Sequence, residues 1–244
     1  NLEDVRQKII ETLAGKCTDP RRQATSILSA ITGLDRTACL LQNDYKVSEF
    51  QQAFCYKVVE RFLKGEPLSR IFQKRDFWKH TFLLSPHTLD PRPDSEVLIE
   101  TALSFNPTRI LDLGTGSGCL LLSLLSECPQ AQGVGVDQSY GALSTAQKNA
   151  YKLNLSNRVH FVNTWWTKGL KGCYDLIISN PPYIQTNVIP TLDPIVKTYD
   201  PWLALDGGQD GLNCYQEIAA IVRPFLTDCG YIMVEIGEDQ EKDV

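Results

Sequence analysis

Hydrophobic positions in residues 1–75 recur at helical spacing. The first apolar stripe, in which members lie three or four residues apart, is Leu2, Val5, Ile9 and Leu13. Gly15 is expected to end that helix, and further helices are predicted over 21–32, 37–41 and 48–64. Ser48 and Gln51 have the spacing of a capping box at the start of the last one. We expect a small helical bundle over residues 1–75.

The pattern changes to partial alternation of aromatic and polar residues after position 75. The run Asp76-Phe-Trp-Lys-His-Thr-Phe-Leu-Leu predicts a β-hairpin. Pro86, Pro91 and Pro93 then indicate an extended linker. Residues 76–93 are therefore interpreted as a hairpin and linker between the helical bundle and a larger domain over residues 94–244.

Strand and helix patterns alternate from residue 94 onward. Short apolar strands are predicted at 108–113, 132–137, 159–163, 174–179 and 230–236. Helices are predicted between or before them at 96–104, 119–127, 140–154 and 209–226. Strands separated by helices indicate right-handed crossovers and a parallel sheet covered on both faces. The predicted fold class is α/β with a mostly parallel sheet, after an N-terminal helical bundle and a hairpin.

Composition excludes several classes of protein. The 244 residues are 43% hydrophobic and 22% charged, as in ordinary globular domains and unlike disordered chains. No apolar run is long enough to span a bilayer, and the first residues lack the apolar core of a signal peptide. Eight cysteines without a C-x-x-C pair disfavour a zinc site, so no metal is expected. Their scatter among apolar residues favours buried thiols in a reducing cytoplasm.

Charge is distributed unevenly along the chain. Residues 1–80 carry 14 Lys/Arg and 10 Asp/Glu, whereas residues 81–244 carry 10 and 19. This difference is compatible with ordinary solvated surface or with a mildly basic docking module ahead of an acidic catalytic body. The acidic body disfavours general binding of nucleic acid, which needs clustered Lys and Arg.

A glycine loop lies between the first predicted strand and helix of the larger domain. It reads Asp112-Leu-Gly114-Thr115-Gly116-Ser117-Gly118, and glycines there let the backbone approach a ligand. A dinucleotide fingerprint needs its third small residue at 119, where this chain has Cys119. Asp112 would repel a pyrophosphate but favour a cationic sulfonium amino acid. Both features favour S-adenosylmethionine over NAD, and a nicotinamide oxidoreductase is disfavoured.

Asp137 ends the second predicted strand. A carboxylate there can accept hydrogen bonds from both ribose hydroxyls of a nucleoside cofactor. The alternative is that Asp137 only caps the helix predicted at 140–154.

Asn180-Pro181-Pro182-Tyr183 follows a strand predicted at the centre of the sheet. Its prolines fix φ and remove two backbone donors. The Asn180 side-chain oxygen and the Pro181 carbonyl can accept the two N–H bonds of a planar –NH₂ group, and Tyr183 can pack on a flat substrate. Alone, this sequence could equally be a proline-rich turn that ends a strand.

Together these segments resemble the HemK/PrmC family of peptide chain release factor N5-glutamine methyltransferases. The resemblance covers nearly the whole chain, and its specific parts are Asp112–Gly118, Asn180–Tyr183 and the Pro91-Arg92-Pro93-Asp94 turn. It implies a Rossmann-like methyltransferase domain and methyl transfer from S-adenosylmethionine to the glutamine amide of a Gly-Gly-Gln motif. The implied protein substrate is a release factor, docked by residues 1–75, and we expect a cytoplasmic monomer.

The resemblance also implies roles for individual residues. Gly114–Gly118 would hold the methionine part of the cofactor, Asp137 the ribose, and Trp166 would flank the adenine. Asn180 would contact both cofactor and substrate, while Asn180–Tyr183 would hold the glutamine and Arg92 would help to shape the site. Adenine N6 methylation of nucleic acid is the alternative reaction, since adenine also presents a planar –NH₂. A binding module without catalysis is a second alternative.

The chain departs from the family pattern at three places. Where the family usually has Asp-Trp after the third strand, this chain has Trp165-Trp166, so the carboxylate expected to read the adenine amino group is absent. Asp90 occupies a position that is often apolar in relatives. The chain ends after the fifth strand, although such folds normally add a helix and two antiparallel strands, which we expect to be missing.

Overall fold

The computed structural model describes residues 1–244, which form two compact units, Asn1–Gln73 and Lys74–Val244. The first unit consists of helices α1 (Leu2–Leu13), α2 (Pro20–Thr32), α3 (Arg36–Leu41), α4 (Glu49–Leu63) and α5 (Leu68–Phe72). The apolar stripe predicted in α1 is buried against α2 and α4, so that prediction is confirmed. The core of this unit is therefore made by helix faces, as the periodicity indicates.

Capping fixes the ends of these helices. The box predicted at α4 is present: the Ser48 hydroxyl accepts from the Gln51 backbone N–H, and the Gln51 side chain accepts from that of Ser48. Asn1 and Asp4 form a second box at α1, which the sequence analysis missed. Helix α5 was also missed, since five residues are too few to show a period.

The second unit begins with a hairpin and continues as alternating strands and helices. The hairpin strands are β1 (Lys74–Phe77) and β2 (His80–Leu83). The remaining elements are α6 (Glu96–Leu103), β3 (Arg109–Leu113), α7 (Cys119–Glu127), β4 (Gln132–Asp137), α8 (Tyr140–Lys152), β5 (Val159–Asn163), β6 (Tyr174–Ser179), α9 (Pro194–Tyr199), α10 (Asn213–Val222) and β7 (Leu226–Val234).

The five strands that follow the hairpin form one parallel sheet in the order β5-β4-β3-β6-β7. Side chains of β3 alternate between its faces: Ile110 packs with α6 and α7, whereas Leu111 and Leu113 pack with α10. Helices therefore cover both faces of a parallel sheet, as predicted. The predicted fold class is confirmed.

The helix predicted at 209–226 is wrong in extent. Helix α10 covers only Asn213–Val222, because the preceding loop contains Gly208 and Gly211 at φ +91° and +79°. These left-handed conformations interrupt a helix. After Val222 the chain makes a short turn through Pro224 and enters β7 at Leu226, four residues before the predicted strand.

The expectation of buried cysteines holds only in part. All eight thiols are free; Cys39, Cys55 and Cys214 are buried, whereas Cys173 and Cys229 are exposed. No helix in the structure combines the length and the apolar character needed to cross a membrane.

Asn149 of α8 ties the hairpin to the sheet. Its side chain is buried, and its Oδ1 accepts from the Leu83 N–H at 2.7 Å. Its Nδ2 donates to the carbonyls of Leu83 and Ser117, at 3.1 and 2.9 Å. One buried amide thus satisfies three backbone groups of β2 and of the loop that follows β3.

Replacing Asn149 should therefore destabilise the second unit. Asn149→Ala leaves buried backbone groups without partners, so we expect a loss of about 2–4 kcal/mol in the free energy of unfolding. Urea denaturation measures this loss, with Gln147→Ala, at an exposed position of the same helix, as control. A loss below about 0.5 kcal/mol in Asn149→Ala would show that this amide does not hold the hairpin.

Candidate active site

A cleft opens at the carboxyl ends of β3, β4 and β6. It encloses about 1130 Å³ of space between protein atoms, its open mouth included, enough for a cofactor-sized molecule. The sequence-predicted residues that line it are Gly114, Thr115, Gly116, Ser117, Asp137, Trp166, Asn180 and Pro182. Five others, Arg92, Asp112, Gly118, Pro181 and Tyr183, are not among the residues that line the cleft. Three further lining residues, His87, Ser95 and Cys119, were not predicted as site residues from the sequence.

The glycine loop after β3 has the conformation that glycine allows. Gly114, Gly116 and Gly118 have φ of +73°, +57° and +79°, in the left-handed region. The Gly114 and Thr115 N–H groups both donate to the Val136 carbonyl at 2.9 Å. A Cβ at Gly114 or Gly116 would meet no protein atom closer than 3.8 Å. The loop therefore needs glycine for its backbone angles, and the space beside these two residues is open.

Asp137 holds the loop from the end of β4. Its Oδ2 accepts from the Gly116 N–H at 2.9 Å, and its Oδ1 accepts from the Ser139 N–H at 2.8 Å. The cap of α8 is Ser139, whose side chain accepts from Ala142, so the alternative of Asp137 as the cap is wrong. Burial raises the pKa of Asp137. Each carboxylate oxygen keeps a further lone pair for a ligand hydroxyl.

Asp112 lies beneath the glycine loop and is almost fully buried. Its Oδ2 accepts from the Thr115 hydroxyl at 2.6 Å, while its Oδ1 has no hydrogen-bond partner. Loss of hydration on burial raises the pKa of Asp112 to about 7. A buried carboxylate with an unpaired oxygen beneath the loop favours a cationic ligand above it.

Trp165 and Trp166 share one acceptor on α10. Both indole N–H groups donate to Glu217 Oε2, at 3.1 and 2.6 Å. Trp166 is nearly buried, and both rings line the cleft. Glu217 thus fixes both indole rings, but it is not among the residues that line the cleft. No sequence pattern predicts this contact, since Glu217 lies 51 residues beyond Trp166.

The Asn-Pro-Pro-Tyr turn follows β6. Ser179 precedes it and donates to the Leu113 carbonyl at 2.6 Å, which joins the turn to the glycine loop. Asn180 Nδ2 donates to Ser95 Oγ at 3.2 Å, and the Tyr183 hydroxyl lies 3.4 Å from Glu235 Oε1. Pro181 is buried and Tyr183 is directed at Glu235 rather than into the cleft.

Arg92 and Asp90 belong to an ionic cluster beside the cleft. Arg92 Nη2 donates to Asp200 Oδ2 at 2.7 Å, so its guanidinium is directed away from the cleft. The Asp90 backbone N–H donates to Asp200 Oδ1, and Asp90 Oδ1 lies 3.4 Å from Arg75 Nε. This ion pair accounts for a buried acid at position 90.

The cleft fits S-adenosylmethionine. Open space beside Gly114 and Gly116 admits the methionine part, and Asp137 presents carboxylate oxygens at the end of β4. Trp166 offers a flat apolar face. The Asp112 carboxyl, whose pKa burial raises to about 7, ionises more readily when a cationic ligand lies near it. Neither Lys nor Arg is among the lining residues, so the cleft has no obvious partner for a pyrophosphate.

Comparison with known proteins agrees with this geometry. Residues 74–198 match the model of the methyltransferase small domain, and residues 4–72 match that of the PrmC N-terminal domain. A release factor glutamine methyltransferase of Agrobacterium fabrum is 43% identical over 239 residues, which cover 95% of this chain and 83% of that one. The chain belongs to the release factor glutamine methyltransferase family. It is therefore an enzyme that uses S-adenosylmethionine as methyl donor.

One further relative and one solved structure extend the comparison. The corresponding enzyme of Geobacter sulfurreducens is 39% identical over 95% of this chain and 82% of its own length. A crystal structure of the hMettl16 catalytic domain with the MAT2A 3'UTR hairpin 6 has a TM-score of 0.53, at 16% identity over 65% of this chain and 62% of that one. At that identity the likeness concerns the fold alone.

Replacing Asp112 should separate its effects on stability and on cofactor binding. A carboxyl whose folded pKa is raised from 3.8 to about 7 stabilises the fold below pH 3.8, and that stability is lost as the pH rises to about 7. Asp112→Asn avoids this loss, so its melting temperature at about pH 8 should equal or exceed that of the wild type.

Cofactor binding by Asp112→Asn should instead weaken about tenfold, about 1.4 kcal/mol, since a buried negative charge is removed. Calorimetry in two buffers of different ionisation enthalpy should also detect proton release when wild type binds the cofactor near pH 7, and none from this site in the variant. Unchanged affinity in Asp112→Asn would mean that its charge does not act on the ligand.

Proposed function

We propose that the protein transfers a methyl group from S-adenosylmethionine to the side-chain amide nitrogen of the glutamine in the Gly-Gly-Gln motif of peptide chain release factors. The observation that carries this proposal is that Asn180 lines the same cleft as the glycine loop and Asp137. Relatives of this chain are named release factor glutamine methyltransferases, which supports a release factor as the substrate.

The chemistry needs orientation more than activation. When bound, the cofactor supplies a methyl group that is already activated on a sulfonium. The amide nitrogen is a weak nucleophile, because its lone pair is delocalised into the carbonyl. Asn180 Oδ1, on a residue that lines the cleft, would accept one of its N–H bonds and direct the nitrogen at the methyl group. A carbon–nitrogen bond forms, the carbon–sulfur bond breaks, and the nitrogen loses one proton to water.

No covalent intermediate is part of the proposal. Cys119 lines the cleft, but burial raises the pKa of its thiol to about 12, so it stays a neutral thiol at physiological pH. Direct transfer from cofactor to substrate therefore remains the simplest reaction.

Mass spectrometry tests the function directly. A purified release factor is incubated with enzyme and S-adenosylmethionine, and its digested peptides are analysed. We expect one methyl group on the glutamine of the Gly-Gly-Gln motif, and none on a release factor in which that glutamine is replaced. Methylation of RNA or DNA adenine under the same conditions, with an unmodified release factor, would overturn the proposal.

Asn180 tests the mechanism. Asn180→Ala removes an acceptor that acts on the reacting nitrogen, so kcat should fall by about 10²–10³-fold. Single-turnover assays at saturating cofactor and release factor isolate this step. Transfer at the wild-type rate in this variant would mean that the turn is only scaffolding.

We also propose that residues 1–75 dock the release factor. Phe50 and Phe54 of α4 stack on each other, with ring centroids 6.4 Å apart, and are 80% and 39% exposed. Stacked aromatic rings on a surface are typical of protein interfaces.

The paired substitution Phe50→Ser with Phe54→Ser should raise KM for an intact release factor about tenfold and leave cofactor affinity unchanged. Steady-state kinetics on the intact factor and on a short Gly-Gly-Gln peptide measure this, and KM for the peptide should not change. Tyr140→Ser, at a residue 77% exposed in the second unit, is the control. An equal rise in KM for both substrates would contradict a docking role.

A further inference from the structure

A cluster of polar side chains lies directly behind Asn180. Ser95 is buried, and its hydroxyl donates to Glu235 Oε2 at 2.5 Å. Ser95 Oγ in turn accepts from Asn180 Nδ2 at 3.2 Å, and the Tyr183 hydroxyl lies 3.4 Å from Glu235 Oε1. These residues come from three places: the turn before α6, the turn after β6, and the residue after β7. Asn180 and Tyr183 are thus both connected to one carboxylate.

The backbone of Glu235 is held independently of its side chain. Its N–H donates to the Ser179 carbonyl at 3.0 Å, which continues the pairing of β7 with β6. Its carbonyl accepts from the Tyr215 hydroxyl at 2.8 Å. The Glu235 side chain therefore extends from a backbone that is held beside Ser179, the residue before Asn180.

The direction of these hydrogen bonds determines which way the Asn180 amide faces. An ionised carboxylate only accepts, and a serine hydroxyl has one hydrogen. Because the Ser95 hydrogen is directed to Glu235, Ser95 can only accept from Asn180. The –NH₂ end of Asn180 must then face Ser95, and its Oδ1 is turned away from this cluster.

The two ends of an asparagine amide are almost equal in size, so packing alone does not select between them. A reversed Asn180 would present an –NH₂ group to the –NH₂ group of a substrate amide, and two donors do not bond. The acceptor orientation is therefore needed for the proposed chemistry.

We propose that Ser95 and Glu235 are positioning residues that hold the Asn180 side chain with its oxygen toward the substrate nitrogen. This rests on the proposed function, in which Asn180 accepts from the glutamine amide. Neither residue needs to touch the substrate, and both act through Asn180.

Glu235→Gln tests the proposal with little change of shape. A glutamine can donate to Ser95 as well as accept from it. The Ser95 hydrogen is then free to turn toward Asn180, and both orientations of the Asn180 side-chain amide become possible. We expect kcat to fall about tenfold at about pH 8, with unchanged cofactor affinity and unchanged KM for the release factor. Ser95→Ala should have a similar effect, while Glu235→Asp, which only accepts, should recover part of the loss.

Two control variants make the same types of substitution at exposed residues outside the cluster. Glu238→Gln changes an exposed acid three residues farther along, and Ser104→Ala changes an exposed serine after α6. Both should retain wild-type kcat, and thermal denaturation should show that all variants are folded.

Double variants separate positioning from a general structural role. In an Asn180→Ala background, Glu235→Gln should cause no further loss of kcat, because the side chain through which it acts is gone. Losses that multiply would overturn the proposal, as would wild-type kcat in both Glu235→Gln and Ser95→Ala. If the wild type methylates no release factor, the proposed function fails instead.

The free enzyme supplies a readout without turnover. The side-chain –NH₂ resonances of Asn180 are assigned by their disappearance in Asn180→Ala. We expect two slowly exchanging protons in the wild type, and faster exchange with a changed chemical shift in Glu235→Gln and Ser95→Ala. Resonances that stay unchanged in both variants would show that the cluster does not hold the amide.

Discussion

The pairing of β3 with β4 on one side and β6 on the other is the constraint on which the site depends. In this register Leu113 lies opposite Val136 in β4 and opposite Ser179 in β6. The next residue of each strand is then Gly114, Asp137 and Asn180, so three distant segments meet at one edge. A slip of one residue would turn the apolar faces of β3 to the wrong side, which burial opposes strongly. The Ser179 hydroxyl bond to the Leu113 carbonyl adds a specific contact to this register.

Much of the fold is predictable because its signals are local. The bounds of α7, β5 and β6 agree with the sequence analysis, since each is a short apolar run between turn residues. The segment after β6 is different. Its backbone is set by glycines in left-handed conformations, which composition does not reveal, and the predicted helix at 209–226 therefore begins too early and ends too late.

The residues of the candidate site likewise fall into those that the sequence predicts and those that it does not. The lining residues follow strands whose carboxyl ends must meet, so motif and topology together predict them. Ser95, Glu217 and Glu235 instead act through side-chain contacts across 85, 51 and 140 residues of sequence. An acid at the end of the strand beside β6 is a usable signal for Glu235. Tyr183 and Arg92 were expected at the cleft, but their polar atoms are directed to Glu235 and Asp200.

The carboxylates around the cleft also explain which ligands it favours. Burial raises the pKa of Asp112 and Asp137, so ionising either of them is costly while the cleft holds no positive charge. A ligand that carries a sulfonium and an ammonium offsets part of that cost, whereas a pyrophosphate or a nucleic-acid backbone increases it. The same charges leave a neutral side-chain amide unaffected. Electrostatics thus favours a cationic methyl donor together with an uncharged acceptor, and in the proposed reaction the hydrogen-bond geometry at Asn180 decides how that acceptor is held.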